Sequence, residues 1–576
     1  MSRKGAIRAA IDAIALGWDV PGGVAVITDR DGDLFEYAFG FADRERGVNT
    51  TADHLFAIGS ISKGATATVV LQLVEQGLLT LDTPIVSVLP WLEGPLADPQ
   101  ITIELLLRHS AGITSGIDAV PDEVGQLAGY AEGPSPVAIG SLFHYSNLGF
   151  ILLGRAAAAV SGESLTELVR TRLLEPLGMR DSIAAVLHED RPRFALGYQP
   201  VHDARSWVPG DEQLVAPWLE VDGADGAIAA TASDLARFAR MLLAGGAPIL
   251  TPESFEAMTT RVAVGGEDTL DLTGIAPVSV SRYGFGVNVE ETDGRRALSH
   301  GGGMVGYASF LLADLDRGLG ITVLTNANGD SPVAEAIARV AFALWDSPDD
   351  PVAPLDPRWW STEAGRDSQR PRVLDEGMLG SFKLAGTNDE LTLSIAEEAG
   401  GRARVEVGFR GATAPLNWSW ADRAVTRHLE LRRFGLLFEA GTWVCGPLIF
   451  ERSESAALAT SEDESGAASE PSAPDVATFV PESPFVGHYR SYNPWFTSFR
   501  VVQRPGTLLL IANVGVEAPW DEVELVILGV DAAGRTVFRL GPDPRLPERL
   551  VFGPLIDGRA PWVERDGDRY SRAFTE

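Results

Sequence analysis

Two breaks in composition decide what this chain can fold into. Ser347-Pro348-Asp349-Asp350-Pro351-Val352-Ala353-Pro354-Leu355-Asp356-Pro357 is punctuated by prolines, which remove backbone donors and interrupt helix and sheet, so it reads as a linker. Residues 453–474 are a low-complexity run of Ser, Ala and Glu without periodicity, too polar to bury itself and expected to be disordered. At 576 residues the chain is also long for one core, and about 150 residues per domain suggests three or so. The units expected are 1–346, 372–452 and 485–576, with 453–484 as a disordered Ser/Ala/Glu linker.

Periodicity differs between the units. In the first, Ile7, Ile11 and Ile14 mark one face of an amphipathic helix. Residues 22–28 and 34–41 read as strands around an Asp/Gly turn. A block of helices follows: one after Ser60, then 103–108, 148–160, 166–174 and 234–243. Strand-like runs return at 283–289, 308–312 and 320–325, and a helix over 333–345 closes the unit. That order describes an α+β domain, an antiparallel sheet flanked by a helical block and completed by both ends of the unit. Beyond residue 372 the pattern changes to short strands, at 391–395, 403–407, 428–431 and 436–439. More follow at 488–492, 499–502, 507–512, 525–530 and 536–540. These are two small all-β domains, either separate barrels or halves of one.

Charge and ligand counts exclude several function classes. A net charge of −32 is unsuited to a nucleic-acid surface or an anionic membrane, both of which need clustered Lys and Arg. Cys445 is the only cysteine, so no intrachain disulfide or thiolate metal site can form, and it is expected to be an inert buried thiol. The eight histidines lack the close pairs of a zinc site, so no metal and no cofactor is expected. Arg8 and Asp12 interrupt any apolar core of a leader, and no run approaches the 18 or so apolar residues of a membrane span. The expectation is a soluble, cytoplasmic protein acting on a small molecule or short peptide, with no oligomeric state assigned.

Ser60-Ile61-Ser62-Lys63 puts a hydroxyl and an amine one helical turn apart, ahead of the apolar run Val69-Val70-Leu71. A serine attacks only when a base removes its proton, and a lysine serves as base only where burial or nearby positive charge lowers its pKa. The first turn of a helix would also favour negative charge beside Ser60. Tyr145-Ser146-Asn147 supplies a phenol that can relay protons and an amide that can bond both the lysine and a substrate, or equally a helix N-cap with a packed aromatic. His300-Gly301-Gly302-Gly303 allows a backbone N–H to approach an oxyanion, with His300 as a proton donor beside it, or else makes a glycine-rich hairpin corner.

Together S-x-x-K, Y-x-N and H-x-G resemble the penicillin-recognising serine hydrolases: serine β-lactamases, D-alanyl-D-alanine peptidases and their esterase and aminopeptidase relatives. Leu105-Leu106-Leu107-Arg108-His109-Ser110-Ala111-Gly112, Glu175-Pro176-Leu177-Gly178 and Thr231-Ala232-Ser233-Asp234-Leu235 support the resemblance, which spans about residues 5–345. The motif types are similar to class C enzymes and the D-aminopeptidase and esterase branch. The resemblance implies a β-lactamase-like catalytic domain, an acyl-enzyme on Ser60, Lys63 as base and Tyr145 as proton relay. It implies that Asn147, His300, Gly302 and Gly303 contact substrate, with the N–H groups of Ser60 and Gly303 as oxyanion hole. Where β-lactamases usually carry lysine this chain has His300, which is mostly neutral at pH 7 and offers no permanent charge to a penicillin carboxylate. That shifts the expectation toward an amidase or aminopeptidase, with esterase and β-lactamase as alternatives and a sensor that acylates without turnover behind them.

The tail resembles the D-aminopeptidase layout, in which a loop of a C-terminal barrel enters the active site and a carboxylate there can bind the substrate amine. Asp521 and Glu522 are acidic residues in such a loop, or a solvated turn. Trp495 is a packing anchor or a substrate wall. His109 and His144 flank the motifs and are expected to support them by hydrogen bonds rather than react.

Overall fold

The computed structural model describes residues 2–116, 123–130, 133–202, 204–208, 210–267, 269, 278–292, 294–327, 332–347, 376–397, 403–418, 424–453, 482–512 and 522–575. Residues 348–357 of the expected linker, 454–481 of the Ser/Ala/Glu run and Asp521 lie outside the described residues.

One eight-stranded antiparallel sheet organises the first unit. Its strands are β1 (Gly22–Asp29), β2 (Asp33–Asp43), β3 (Val48–Asn49), β4 (Val278–Tyr283), β5 (Asn288–Thr292), β6 (Arg295–Met304), β7 (Tyr307–Asp314) and β8 (Leu319–Thr325). They lie in the order β3-β2-β1-β8-β7-β6-β5-β4. Val24 of β1 faces Leu324 of β8, so both ends of the unit complete the sheet. The period-two alternation of strands sends Ala25 and Ile27 to one face and Val24 and Val26 to the other. On the first face Ile7, Ile11 and Ile14 of helix α1 (Arg3–Gly17) pack with Ile337 and Val340 of a helix over Val333–Asp346.

The opposite face holds the functional helices α2 (Ser62–Glu75), α3 (Asn147–Ser161) and α4 (Ala232–Leu243). Helix α2 is buried through every residue from Ser62 to Leu71, the polar Ser62, Lys63, Thr66 and Thr68 included. Its N-terminus therefore projects from the middle of a rigid core rather than from a surface loop.

Three local expectations are corrected. Residues 283–289 are not one strand: Gly286 takes φ +71° and Gly284 N–H bonds Val287 O at 2.8 Å, turning β4 into β5. The His300 glycine run is no hairpin corner but the interior of β6, paired residue for residue with β7. Residues 428–431 form a turn closed by Leu431 N–H on His428 O, not a strand.

The remaining segments close into two separate eight-stranded barrels, from Gly380–Leu384 to Leu448–Arg452 and from Gly487–Arg490 to Asp568–Arg572. Among the described residues closure leaves no unpaired sheet edge. Val502, Leu509 and Ile511 of the second barrel pack into the core of the first, and Trp495 anchors in the core of the first unit. Cys445 is buried in the first barrel, its thiol pushed up to about 12 chiefly by burial, which keeps it unreactive. Among the described residues no single helix is long and apolar enough to cross a membrane.

Candidate active site

Ser60 sits in a single 3₁₀ turn, Gly59–Ile61, that runs directly into α2. Gly59 makes this entry possible. Its φ of +52° is one that residues with a side chain rarely adopt, and a Cβ there would lie 2.6 Å from Gly303 O and 2.8 Å from Gly303 N. A Cβ on Gly302 would lie 1.9 Å from Ile58 O. The two glycines thus let β6 press its backbone against the chain just before Ser60, with Ser309 Oγ bonding Ile58 O at 2.8 Å across the contact.

Lys63 lies one turn along α2 and is fully buried. Its Nζ donates to Ser60 Oγ at 2.9 Å and to Asp225 O at 2.9 Å, and stands 4.8 Å from the centre of the Tyr145 ring. Full burial is the condition under which a lysine can work as a base. The Asp225 carbonyl is itself braced: Ala224 N–H donates to Glu123 Oε1 at 2.8 Å and Thr66 Oγ1 donates to Ala224 O at 2.6 Å. Burial pushes the Glu123 carboxyl up to about 7 despite that N–H and Arg155 at 2.9 Å. Glu123 and Asp225 carry no motif, and sequence reasoning passed over both.

Tyr145 and Asn147 enter from the start of α3. Ser146 is the N-cap, its Oγ accepting from Gly149 N–H at 3.1 Å and donating to Thr114 O at 2.6 Å. The cap and the proximity to Lys63 coexist, so the two readings of Tyr145-Ser146-Asn147 were not exclusive. Asn147 is buried, and its N–H donates to Ser115 O at 2.7 Å. His109 packs its ring 4.3 Å from that of Tyr145 and accepts from Ser146 N–H at 3.1 Å, the supporting place expected of it. Burial, then the charge of Lys63, hold His109 well below the usual histidine range, so it is neutral.

His300 is buried in β6 with both ring nitrogens turned to the protein. Nδ1 faces Gly301 O at 2.5 Å, an acceptor only, so Nδ1 carries the proton and Nε2 accepts from Tyr283 O–H at 2.8 Å. Burial lowers its pKa against the opposing pull of Glu267, whose carboxylate lies 3.8 Å away. In this arrangement the Nδ1–H of His300 is directed at Gly301 O, and burial favours the neutral ring. Tyr283, which the sequence marks only as the start of a strand-like run, is its partner.

The second barrel reaches the site, but not through Glu522. Glu522 is buried against Arg504 at 2.5 Å, neither a solvated turn nor a substrate contact. Glu548 instead accepts from Ser115 N–H at 3.1 Å and lies 2.5 Å from His144 Nε2, beside Tyr145. No local pattern marks Glu548, which is 404 residues from His144 and meets it only through the tertiary fold.

A family model described as Beta-lactamase matches residues 10–344. The chain is similar to Penicillin-binding protein 4 of Amycolatopsis lactamdurans, 32% identical over 336 residues that cover 55% of this chain and 83% of that protein. It is also similar to the D-aminopeptidase of Brucella anthropi, 25% identical over 450 residues covering 75% of this chain and 76% of that one. The octameric penicillin-binding protein homologue from Pyrococcus abyssi shares the fold, with a TM-score of 0.55 at 22% identity over 77% of this chain and 99% of that one.

Proposed function

The chain belongs to the beta-lactamase family of serine hydrolases, and on that premise we propose that it is a metal-independent amidase or aminopeptidase working through an acyl-enzyme on Ser60. The observation that carries the reading is the 2.9 Å contact of the buried Lys63 amine with the Ser60 hydroxyl. In the proposed sequence Lys63 takes the Ser60 proton as Oγ adds to the carbonyl carbon. The oxyanion is met by the N–H groups of Ser60 and Gly303, whose backbones the glycine contacts hold together. Tyr145, under the Lys63 amine, passes the proton to the leaving nitrogen, and a water then repeats the sequence to release the acid. Asn147 and Gly302 line the substrate path in this account.

The choice of amides rests on two further points. His300 offers no permanent positive charge where a penicillin carboxylate would bind, since its neutral form is the favoured one. The similarity to a D-aminopeptidase also runs over three quarters of the chain, more than the catalytic unit alone. The test is a substrate panel of D- and L-aminoacyl anilides, p-nitrophenyl esters and a chromogenic cephalosporin, run on wild type and Ser60→Ala. Anilide turnover lost in Ser60→Ala supports the reading. Turnover of esters alone points to an esterase, and cephalosporin turnover above the anilides points to a β-lactamase.

A further inference from the structure

The contact of Glu548 with the catalytic unit has the makings of a clasp. Its Oε1 joins two segments that are far apart in sequence, Ser115 by its N–H and His144 by its ring. Each segment leads directly to a residue of the site. Ser115 O accepts from the N–H of Asn147 at 2.7 Å and from that of Leu148 at 3.3 Å, which fixes the first turn of α3. His144 is the neighbour of Tyr145, and its own N–H donates to the carbonyl of His109, the residue that packs on the Tyr145 ring. One carboxylate from the second barrel therefore spans the frame in which both Tyr145 and Asn147 are set.

Glu548 is itself held firmly. Its carbonyl accepts from Arg549 Nη1 at 2.8 Å and from Leu540 N–H at 3.2 Å, and its side chain is almost wholly buried. Burial alone would push its carboxyl up, but the hydrogen bond from His144 and the Ser115 N–H more than offset this and hold it below the usual range. A buried carboxylate with those two partners removed would be costly, so the barrel and the Tyr145 frame are favoured together. Charge-assisted bonds of this kind are short and strongly directional, which suits them to fixing a loop in place.

We propose that Glu548 is a positioning residue: by clasping Ser115 and His144 it couples docking of the second barrel to the alignment of Tyr145 and Asn147 with Lys63. This rests on the acyl-enzyme reading of Ser60 given above. Its consequence is that the terminal barrel is part of the catalytic apparatus without touching the reacting atoms, and that loosening it slows chemistry rather than weakening binding.

The test uses the full chain and a fluorophosphonate probe, following covalent labelling of Ser60 to saturation so that the maximal rate and the half-saturating concentration are read separately. Glu548→Ala is expected to lower the maximal labelling rate about tenfold to a hundredfold, the scale of a small misplacement near the chemistry, with half-saturation unchanged. Glu548→Gln, which keeps an acceptor oxygen for both partners, should recover most of that loss. His144→Ala should show the same defect, and the double variant should be no worse than either single one. Thermal unfolding of each variant separates a folded, slow enzyme from an unfolded one. If Glu548→Ala stays folded and labels at the wild-type rate, if Gln is as slow as Ala, or if the loss lies wholly in half-saturation, the proposal is overturned while the acyl-enzyme reading stands. A wild type that leaves Ser60 unlabelled overturns both.

Discussion

Lys63 Nζ and Ser60 Oγ lie 2.9 Å apart at the start of one buried helix, with the amine held from behind by the Asp225 carbonyl. The relationship has two independent sources. The i, i+3 spacing from the 3₁₀ turn Gly59–Ile61 into the first turn of α2 brings the two side chains together, and the glycine contacts at 59 and 302 press β6 against the same turn.

Lys63→Met should slow acylation of Ser60 by about a hundredfold to ten-thousandfold, the range associated with loss of a general base. Unfolding temperature should be unchanged or raised, because an apolar side chain replaces a buried amine. Lys63→Arg should not restore the rate, since a guanidinium does not give up its proton. Labelling kinetics read beside a thermal melt check both statements.

Gly59→Ala should damage both stability and rate. The new Cβ meets Gly303 backbone atoms at 2.6 and 2.8 Å, and the left-handed φ adds about 1–3 kcal/mol of strain. Gly47→Ala is the control, because Gly47 also has a positive φ, +65°, but a Cβ added there meets nothing within 4 Å. Urea unfolding should show a loss in both variants, and Ser60 labelling a loss in Gly59→Ala alone.

The distinction between these two glycines shows what was legible in the sequence. Ser60, Lys63, Tyr145, Asn147 and the glycines after His300 stand in short motifs, and the fold brings Ser60 and Tyr145 to the Lys63 amine and the glycines against the chain just before Ser60. The sheet was legible too, because short apolar runs bounded by turn residues mark strands at both ends of the unit, and β1 pairs with β8. What escaped were residues that act through tertiary contact alone. Glu123 braces the carbonyl under Lys63 from a position 101 residues away from its partner Ala224, and Glu548 arrives from another domain. The position of His300 was legible but its role was not, because only burial and the Tyr283 hydroxyl decide which nitrogen holds the proton.

Buried histidines held neutral should make stability fall in acid: His109 and His300 in the site, and His488 in the second barrel, whose pKa burial lowers to about 3. Both His109 and His300 titrate below the ordinary 6.5 in the folded protein, so their neutral forms favour folding above that pH and the contribution is lost as pH falls through the lowered values. Urea unfolding should show lower stability near pH 5 than near pH 8, and His300→Gln should flatten part of the slope. A slope of unchanged size in that variant would remove His300 from the account.

Arg339 and Glu290 form a fully buried ion pair at 3.0 Å beneath β6, where Ser299 also donates to Glu290. Arg339→Met should cost about 3–5 kcal/mol, because Glu290 is then a buried charge without its main partner. Combining it with Glu290→Gln should return part of the loss. Urea unfolding of the two single variants and the double variant measures this directly.

The central claim is that Ser60 is the nucleophile and that Lys63 prepares it. The most direct measurement is intact-mass and peptide analysis of the full chain after reaction with a fluorophosphonate, comparing wild type, Ser60→Ala and Lys63→Met. The account predicts one adduct, on Ser60, absent in Ser60→Ala and formed far more slowly in Lys63→Met. An adduct that persists in Ser60→Ala, or one that forms at the wild-type rate without Lys63, would contradict it.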